Sequence, residues 1–260
     1  MLENEENIED APEEEIQTEF RLDALALKAE LFDTRTRAEN YIKEFGLLVD
    51  GKNIKKPGKK FEADAKLELS VPPLKWVSRA ALKLIEALDR WDVKPAGQIC
   101  LDVGSSTGGF TEVLIDRGAT KVYAVDTGTA QLHPSLHNVK EIISMEQTDI
   151  RTAGKLIPEA SSLIVVDVSF ISLERIFPTL RQYASPESTI ITLFKPQFEV
   201  GKAFVRKNGI VKDENRVIKV RNRLIENADL CGIKHWKTID SPVTGGDGNK
   251  EYLMLWKFKT

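Results

Sequence analysis

A chain of 260 residues, 42% of them hydrophobic, has room for one large domain or two modest ones and can pack a core. No run approaches the roughly 18 apolar residues of a membrane span, and two cysteines, Cys100 and Cys231, are too few for a disulfide framework or a four-ligand zinc site. The net charge of −3 conceals an asymmetry: residues 1–19 hold nine acidic side chains and no basic one, leaving +6 on the rest, a balance that allows a nucleic-acid partner.

The start has neither a basic segment nor an apolar one after it, so no secretory signal is expected and a cytoplasmic protein fits. Residues 1–19, Glu-rich with Pro12, read as a solvated, disordered tail. Residues 20–72 predict a small α+β unit. Leu22, Leu25, Ala26 and Ala29 recur at helical spacing, and a second helix over Thr36–Phe45 turns Ala38, Tyr41, Ile42 and Phe45 inward before Gly46 stops it. Leu47–Val49 reads as a strand entering a turn at Asp50-Gly51, and Lys66–Val71 as a closing strand. Pro72-Pro73 marks a linker, because adjacent prolines favour extended chain.

From residue 73 to 260 the pattern changes. Ser78 is placed to cap a helix with Ala81, Leu82, Ile85 and Leu88 on one face. Candidate strands then follow at Ile99–Val103, Lys121–Val125, Glu141–Met145, Leu163–Val168 and Thr189–Phe194, separated by helical stretches. Such alternation predicts a largely parallel sheet with helices on both faces. His235–Ile239 and Tyr252–Phe258 suit an antiparallel ending.

The loop after the first of these strands is the most informative segment. Asp102 ends the strand, and Gly104, Ser105, Ser106, Thr107, Gly108, Gly109 and Phe110 lead into a helix. Glycines admit close backbone approach by a ligand, and helix-start amides are free to donate to it. The dinucleotide pattern G-x-G-x-x-G is absent, and Asp102 suits a cationic or hydroxyl-rich ligand better than a pyrophosphate. Asp126 closes the next strand, where a carboxylate accepts from ribose hydroxyls, and Asp149 follows the third, placed for an adenine amino group. Three carboxylates after three consecutive strands suit S-adenosylmethionine, a cation without phosphates; no metal is expected.

Four polar residues stand out in apolar company. Lys83 lies one helical turn after Arg79; Asp167 and Lys195 each end an apolar strand; Glu251 precedes the last one. Parallel strands bring Asp167 and Lys195 to one sheet edge near Gly104, whereas topology alone does not bring Lys83 and Glu251 there.

The segments Val77-Ser-Arg-Ala-Ala-Leu-Lys83-Leu, Asp102 to Thr111, Asp167-Val-Ser-Phe-Ile-Ser-Leu, Phe194-Lys-Pro-Gln-Phe-Glu and Gly248-Asn-Lys-Glu-Tyr-Leu resemble the hemolysin-A (TlyA-type) family of ribosomal-RNA 2′-O-ribose methyltransferases. Ala81 stands where that family's motif has glycine. The resemblance implies a Rossmann-like, FtsJ-like catalytic domain using S-adenosylmethionine, with Lys83, Asp167, Lys195 and Glu251 surrounding the target ribose. It implies ribosomal RNA or ribosomal subunits as partners and cytidine as the base. Chemistry then reduces to aligning a 2′-oxygen with an activated methyl and managing one proton. Lys195 either removes that proton, aided by a neighbouring cation such as Lys83 or Arg79, or holds the hydroxyl while water takes it.

Residues 20–72 resemble the S4 RNA-binding domain through Arg21-Leu-Asp, Thr34-Arg-Thr-Arg-Ala38 and Val49-Asp-Gly-Lys before Lys56-Pro-Gly58. Phe45-Gly-Leu-Leu-Val carries one apolar residue more than that pattern. Arg21, Arg35, Arg37, Lys52, Lys55, Lys56 and, in the larger region, Arg79 are the expected RNA contacts; lysines around a turn suit phosphates. Val205–Arg216, basic and glycine-containing, is a second expected contact. An RNA binder with a silent methyltransferase fold is weighed down by the four filled positions. A membrane-active hemolysin lacks a segment joining a long apolar face to a basic one.

Overall fold

A computed structural model describes residues 19–32, 34–70, 75–246 and 248–259. The acidic tail through residue 18, Val71 and the Pro72-Pro73 linker lie outside the described residues. The chain divides into two compact units, Met1–Pro73 and Leu74–Thr260.

In the first unit, β1 (Glu19–Arg21) pairs antiparallel with β4 (Lys60–Glu62). The helices α1 (Leu22–Lys28) and α2 (Arg35–Glu44) pack beside a three-stranded sheet in which β2 (Leu47–Val49) lies between β3 (Lys52–Ile54) and β5 (Leu67–Leu69). Thr34 starts α2 by accepting from the Arg37 N–H at 3.2 Å. Gly46, at φ +81°, follows its end. Leu22, Ala26, Ala38, Tyr41, Ile42, Leu47 and Val49 form the core. Ala29, expected inward, is the exposed C-cap of α1, because that helix is only seven residues long.

In the second unit the strands are β6 (Ile99–Val103), β7 (Lys121–Val125), β8 (Ile142–Met145), β9 (Ser161–Val166), β10 (Ala184–Phe194), β11 (Ile233–Asp240) and β12 (Tyr252–Phe258). Their order is β11-β12-β10-β9-β6-β7-β8. The five from β10 to β8 are parallel; β12 and β11 complete the sheet antiparallel. Alternating side chains feed two apolar layers. On one face Leu101, Val103, Ile164, Val166, Ile190 and Trp256 pack with α5 (Ile150–Ala153), α6 (Phe177–Leu180) and α8 (Glu214–Leu230). On the other, Cys100, Val122, Leu163, Val165, Ile191 and Leu253 pack with α3 (Ala80–Trp91) and α4 (Gly109–Asp116). A further helix, α7 (Pro196–Glu199), is a single turn after β10. Both cysteines are free, and burial pushes the Cys100 thiol up to about 12.

Two expectations for α3 change. Arg79, not Ser78, is its N-cap, and no side chain caps it. Its buried face is Ala81, Lys83, Leu84, Ala87 and Leu88, while Leu82 and Ile85 are only partly covered. A polar lysine on the inward face hid that stripe from a hydrophobic count.

Candidate active site

The carboxyl ends of β6, β7, β8, β9 and β10 share one edge of the sheet, so residues just beyond them assemble without long excursions. Asp102 is fully buried at the end of β6. Its Oδ2 accepts from the Thr111 hydroxyl of α4 at 2.6 Å; its Oδ1 is buried with no hydrogen-bond partner among the described residues. Burial, with smaller contributions from Asp167 and Asp126, pushes its carboxyl up to about 7.

The loop glycines have a structural task as well as the one expected. A Cβ on Gly104, whose φ is +83°, would lie 2.6 Å from the Asp167 carbonyl oxygen. A Cβ on Gly109 would lie 2.2 Å from Ser78 Oγ. These close approaches serve the protein itself. The first sets the Gly104 turn against the end of β9, and the second sets the start of α3, hence Lys83, against the start of α4. Gly108 is likewise faced by the Leu132 and Leu136 side chains. Phe110, expected at the ligand, is buried in the apolar layer with α3. Ser105 is buried, while Ser106 and Thr107 remain partly or fully open.

Asp126 braces this turn. Its Oδ2 accepts from the Ser106 N–H at 2.8 Å and its Oδ1 from the Gly128 N–H at 2.7 Å, which joins the loops after β6 and β7. One lone pair on each oxygen remains for a ligand hydroxyl. Asp149 is more fully spent. It caps α5 by accepting from the Arg151 N–H at 2.9 Å, and the Arg151 guanidinium beside it holds its carboxyl below the usual range. An unpartnered buried carboxylate oxygen in a turn with no basic side chain fits a cationic ligand such as S-adenosylmethionine.

The four expected catalytic residues form two ion pairs. Lys83 Nζ lies 2.6 Å from Glu251 Oε2, the side chains only 10% and 2% exposed. Lys195 Nζ lies 2.5 Å from Asp167 Oδ1 and donates to Ser169 Oγ at 3.0 Å. The pairing of Phe194 with Tyr252 carries the next residues, Lys195 and Glu251, across from one another at the ends of β10 and β12. Each lysine therefore faces a carboxylate. Lys83, one of the cations expected near Lys195, is itself paired with Glu251, which lies across from Lys195 at the strand ends.

Arg79 is half-buried at the start of α3. In the first unit, Lys52, Lys55 and Lys56 are exposed and Arg37 is half-buried. Arg21 and Arg35 are engaged: both guanidinium groups donate to the buried Asp23, holding its carboxyl down at about 2. The Val205–Arg216 segment is pinned. Asn249 donates to the Gly209 carbonyl and accepts from the Val211 N–H, each at 2.9 Å, and Arg216, already within α8, lies over the Phe204 ring.

Sequence reasoning missed Phe170. It is 92% exposed, sits at φ +64°, and lies against Phe198 with ring centroids 5.0 Å apart. It stands three residues after Asp167, where a lone aromatic in a short mixed loop leaves no periodic signal.

This sheet order, with carboxylates closing successive parallel strands and an antiparallel pair at one side, is that of the Rossmann-like methyltransferases. An S-adenosylmethionine-dependent methyltransferase from Mesorhizobium loti shares the fold at a TM-score of 0.50 and 14% identity, over 65% of this chain and 95% of that one. Residues 76–258 match the FtsJ-like methyltransferase family. The 16S/23S rRNA (cytidine-2′-O)-methyltransferase TlyA of Mycobacterium tuberculosis is 38% identical over 248 residues, 92% of this chain and 90% of its own. Hemolysin A of Brachyspira hyodysenteriae is 36% identical over 90% of this chain and 98% of its own. A solved structure from Streptococcus thermophilus, named as a hemolysin, superposes at a TM-score of 0.74 with 35% identity, over 94% of this chain and 90% of that one. The chain belongs to the FtsJ-like methyltransferase family and, within it, to the hemolysin-A (TlyA-type) group. Among the described residues no helix is long and apolar enough to cross a membrane.

Proposed function

We propose that this protein methylates the 2′-oxygen of a ribose in ribosomal RNA, at a cytidine, with S-adenosylmethionine as donor. The observation that carries the reading is a pair of lysine–carboxylate contacts at one sheet edge: Lys195 with Asp167, whose backbone abuts Gly104, and Lys83 with Glu251, which lies across from Lys195. When bound, the cofactor supplies a methyl group already activated on a cationic sulfur. Asp102 offers its unpartnered oxygen to that cation, and Asp126 offers the remaining lone pairs of a carboxylate fixed by two backbone amides. Lys195, held by Asp167 and Ser169, donates to the ribose 2′-oxygen and fixes its approach. As the new O–C bond forms the hydroxyl proton becomes strongly acidic, so the Asp167 carboxylate suffices to receive it. Lys83 and Glu251 complete the wall opposite Asp167.

Residues 20–72 act in this reading as an S4-like RNA-binding module, with Arg37, Lys52, Lys55 and Lys56 on phosphates, and residues 73–260 as the catalytic domain. A ribosomal substrate places the protein in the cytoplasm. Transfer of tritiated methyl to ribosomal RNA or subunits, followed by mapping of alkali-resistant linkages, tests the proposal. Label appearing at one ribose is the expected result; label on a base or on protein, with none on ribose, would overturn it.

A further inference from the structure

Glu199 ends α7, four residues after Lys195, and its carboxylate is buried, with 7% of the residue exposed. It accepts from the Ser172 hydroxyl at 2.6 Å and from the Leu173 N–H at 2.9 Å. Both donors belong to the loop after β9, the loop that carries Asp167, Ser169 and Phe170. Phe198, next to Glu199, meets Phe170. Ser172 in turn accepts from the Glu174 N–H at 3.2 Å, starting the turn that follows.

Among the described residues four ties join the loops beyond β9 and β10: the Asp167–Lys195 pair, the Lys195–Ser169 bond, the Phe170–Phe198 contact and the Glu199 bonds. Only the last stands away from the reacting groups. A buried carboxylate is a costly way to close a loop, since desolvation penalises the charge and raises the Glu199 carboxyl above its ordinary value. The nearby cation Arg223 is engaged by Glu174 at 2.9 Å. What the charge provides is two strong, directional bonds across the two loops.

We propose that Glu199 is a positioning residue for methyl transfer: its bonds to Ser172 and Leu173 fix where Asp167 and Phe170 stand relative to Lys195. The role rests on the function proposed above, but the latch itself is a physical object that needs no substrate to be seen. Hydrogen exchange on the full chain reads it directly. In Glu199→Ala the amides of residues 169–175 are expected to exchange at least about tenfold faster, with β6 and β7 unchanged. Turnover on ribosomal RNA reads the role. Glu199→Ala is expected to lose about 30-fold in kcat, with the S-adenosylmethionine dissociation constant, measured by calorimetry, unchanged, because Asp102 and Asp126 lie on other strands. Glu199→Gln keeps an amide oxygen for the Leu173 N–H and is expected to recover most of that loss. Ser172→Ala removes the hydroxyl's bond to Glu199, together with its cap on the Glu174 N–H, without touching the buried acid, and is expected to fall between the two, its exchange being read at residues 169–173. It serves as the readout if Glu199→Ala does not fold. Unchanged loop exchange in both Glu199→Ala and Ser172→Ala overturns the latch. Faster exchange with wild-type kcat overturns the positioning role. A wild-type protein that methylates no ribosomal RNA overturns the function instead, while the exchange result still decides the latch.

Discussion

Lys83 and Glu251 are 168 positions apart in the chain, yet their charged ends meet at 2.6 Å in a buried setting. The contact joins α3, which precedes the sheet in sequence, to the residue just before β12, its last strand. Removing one partner strands the other charge. Lys83→Ala is expected to cost about 3–5 kcal/mol of stability and to abolish activity, while Lys83→Met combined with Glu251→Leu regains the stability without the activity. Thermal unfolding and turnover measured on the same samples check this; a double variant no more stable than Lys83→Ala would show that the pair contributes more than mutual neutralisation.

Lys195 contacts Asp167 and Ser169, and its partners are not those of the cofactor turn. Lys195→Ala is therefore expected to reduce kcat by about 10²–10⁴-fold while S-adenosylmethionine binds as before. Single-turnover methyl transfer and calorimetry separate the two quantities. Wild-type turnover in this variant would remove Lys195 from the mechanism.

Asp102 gives the site a pH dependence. Its folded carboxyl lies at about 7, above the ordinary 3.8, so between these values the folded state binds more protons than the unfolded chain. Stability contributed by this group is present below the lower value and is lost as pH rises through 7. Asp102→Asn is expected to flatten that decline. A cationic ligand favours the ionised form, so S-adenosylmethionine is expected to bind more tightly at pH 7.5 than at pH 5.5, and Asp102→Asn to lose the dependence. Calorimetry across that range is the check, and a flat wild-type profile would mean that Asp102 does not meet the cation.

Much of this site was legible because its residues break local rules. Asp102, Asp167 and Lys195 each end a run of apolar strand residues, and a charge there is conspicuous; strand order then brings them to one edge. The meeting of Lys83 with Glu251 was not legible, because it depends on which side chain the last strand returns beside α3. The packing role of the glycines was hidden for a related reason. Sequence shows that Gly104 and Gly109 leave space, but only coordinates show that the Asp167 backbone and Ser78 fill it. In the first unit Arg21 and Arg35 read as RNA contacts because nothing local marks Asp23 as buried; its burial follows from β1 and α1 meeting end to end, which turns both guanidinium groups onto it.

That commitment sharpens the RNA prediction. Lys52, Lys55 and Lys56 are exposed around the β3 strand, whereas Arg21 is tied to Asp23. Replacing the three lysines with glutamine is expected to raise the KM for RNA and leave the melting temperature unchanged. The salt dependence of RNA affinity should flatten by about 0.7–0.9 for each phosphate the lysines had neutralised. Arg21→Ala is expected to do the reverse, lowering the melting temperature more than the affinity. An unchanged salt slope in the triple glutamine variant would place the RNA elsewhere.

Phe170 is held in a backbone conformation that costs energy, with its ring in solvent except where it meets Phe198, so folding alone gives little reason to keep it. An aromatic ring backed by Phe198, three residues after Asp167, is therefore expected to stack a base of the RNA if the target ribose lies against Lys195 as proposed. Stacking of this kind is worth about 1–3 kcal/mol per base, so Phe170→Ala is expected to lower kcat/KM for RNA by roughly 5- to 150-fold. The melting temperature should hold or rise, and cofactor affinity should not change. Phe170→Tyr, which keeps the ring, is expected to remain close to wild type. If Phe170→Ala methylates ribosomal RNA as efficiently as the wild type, the ring does not touch the substrate, and the base must be held by another face of the site.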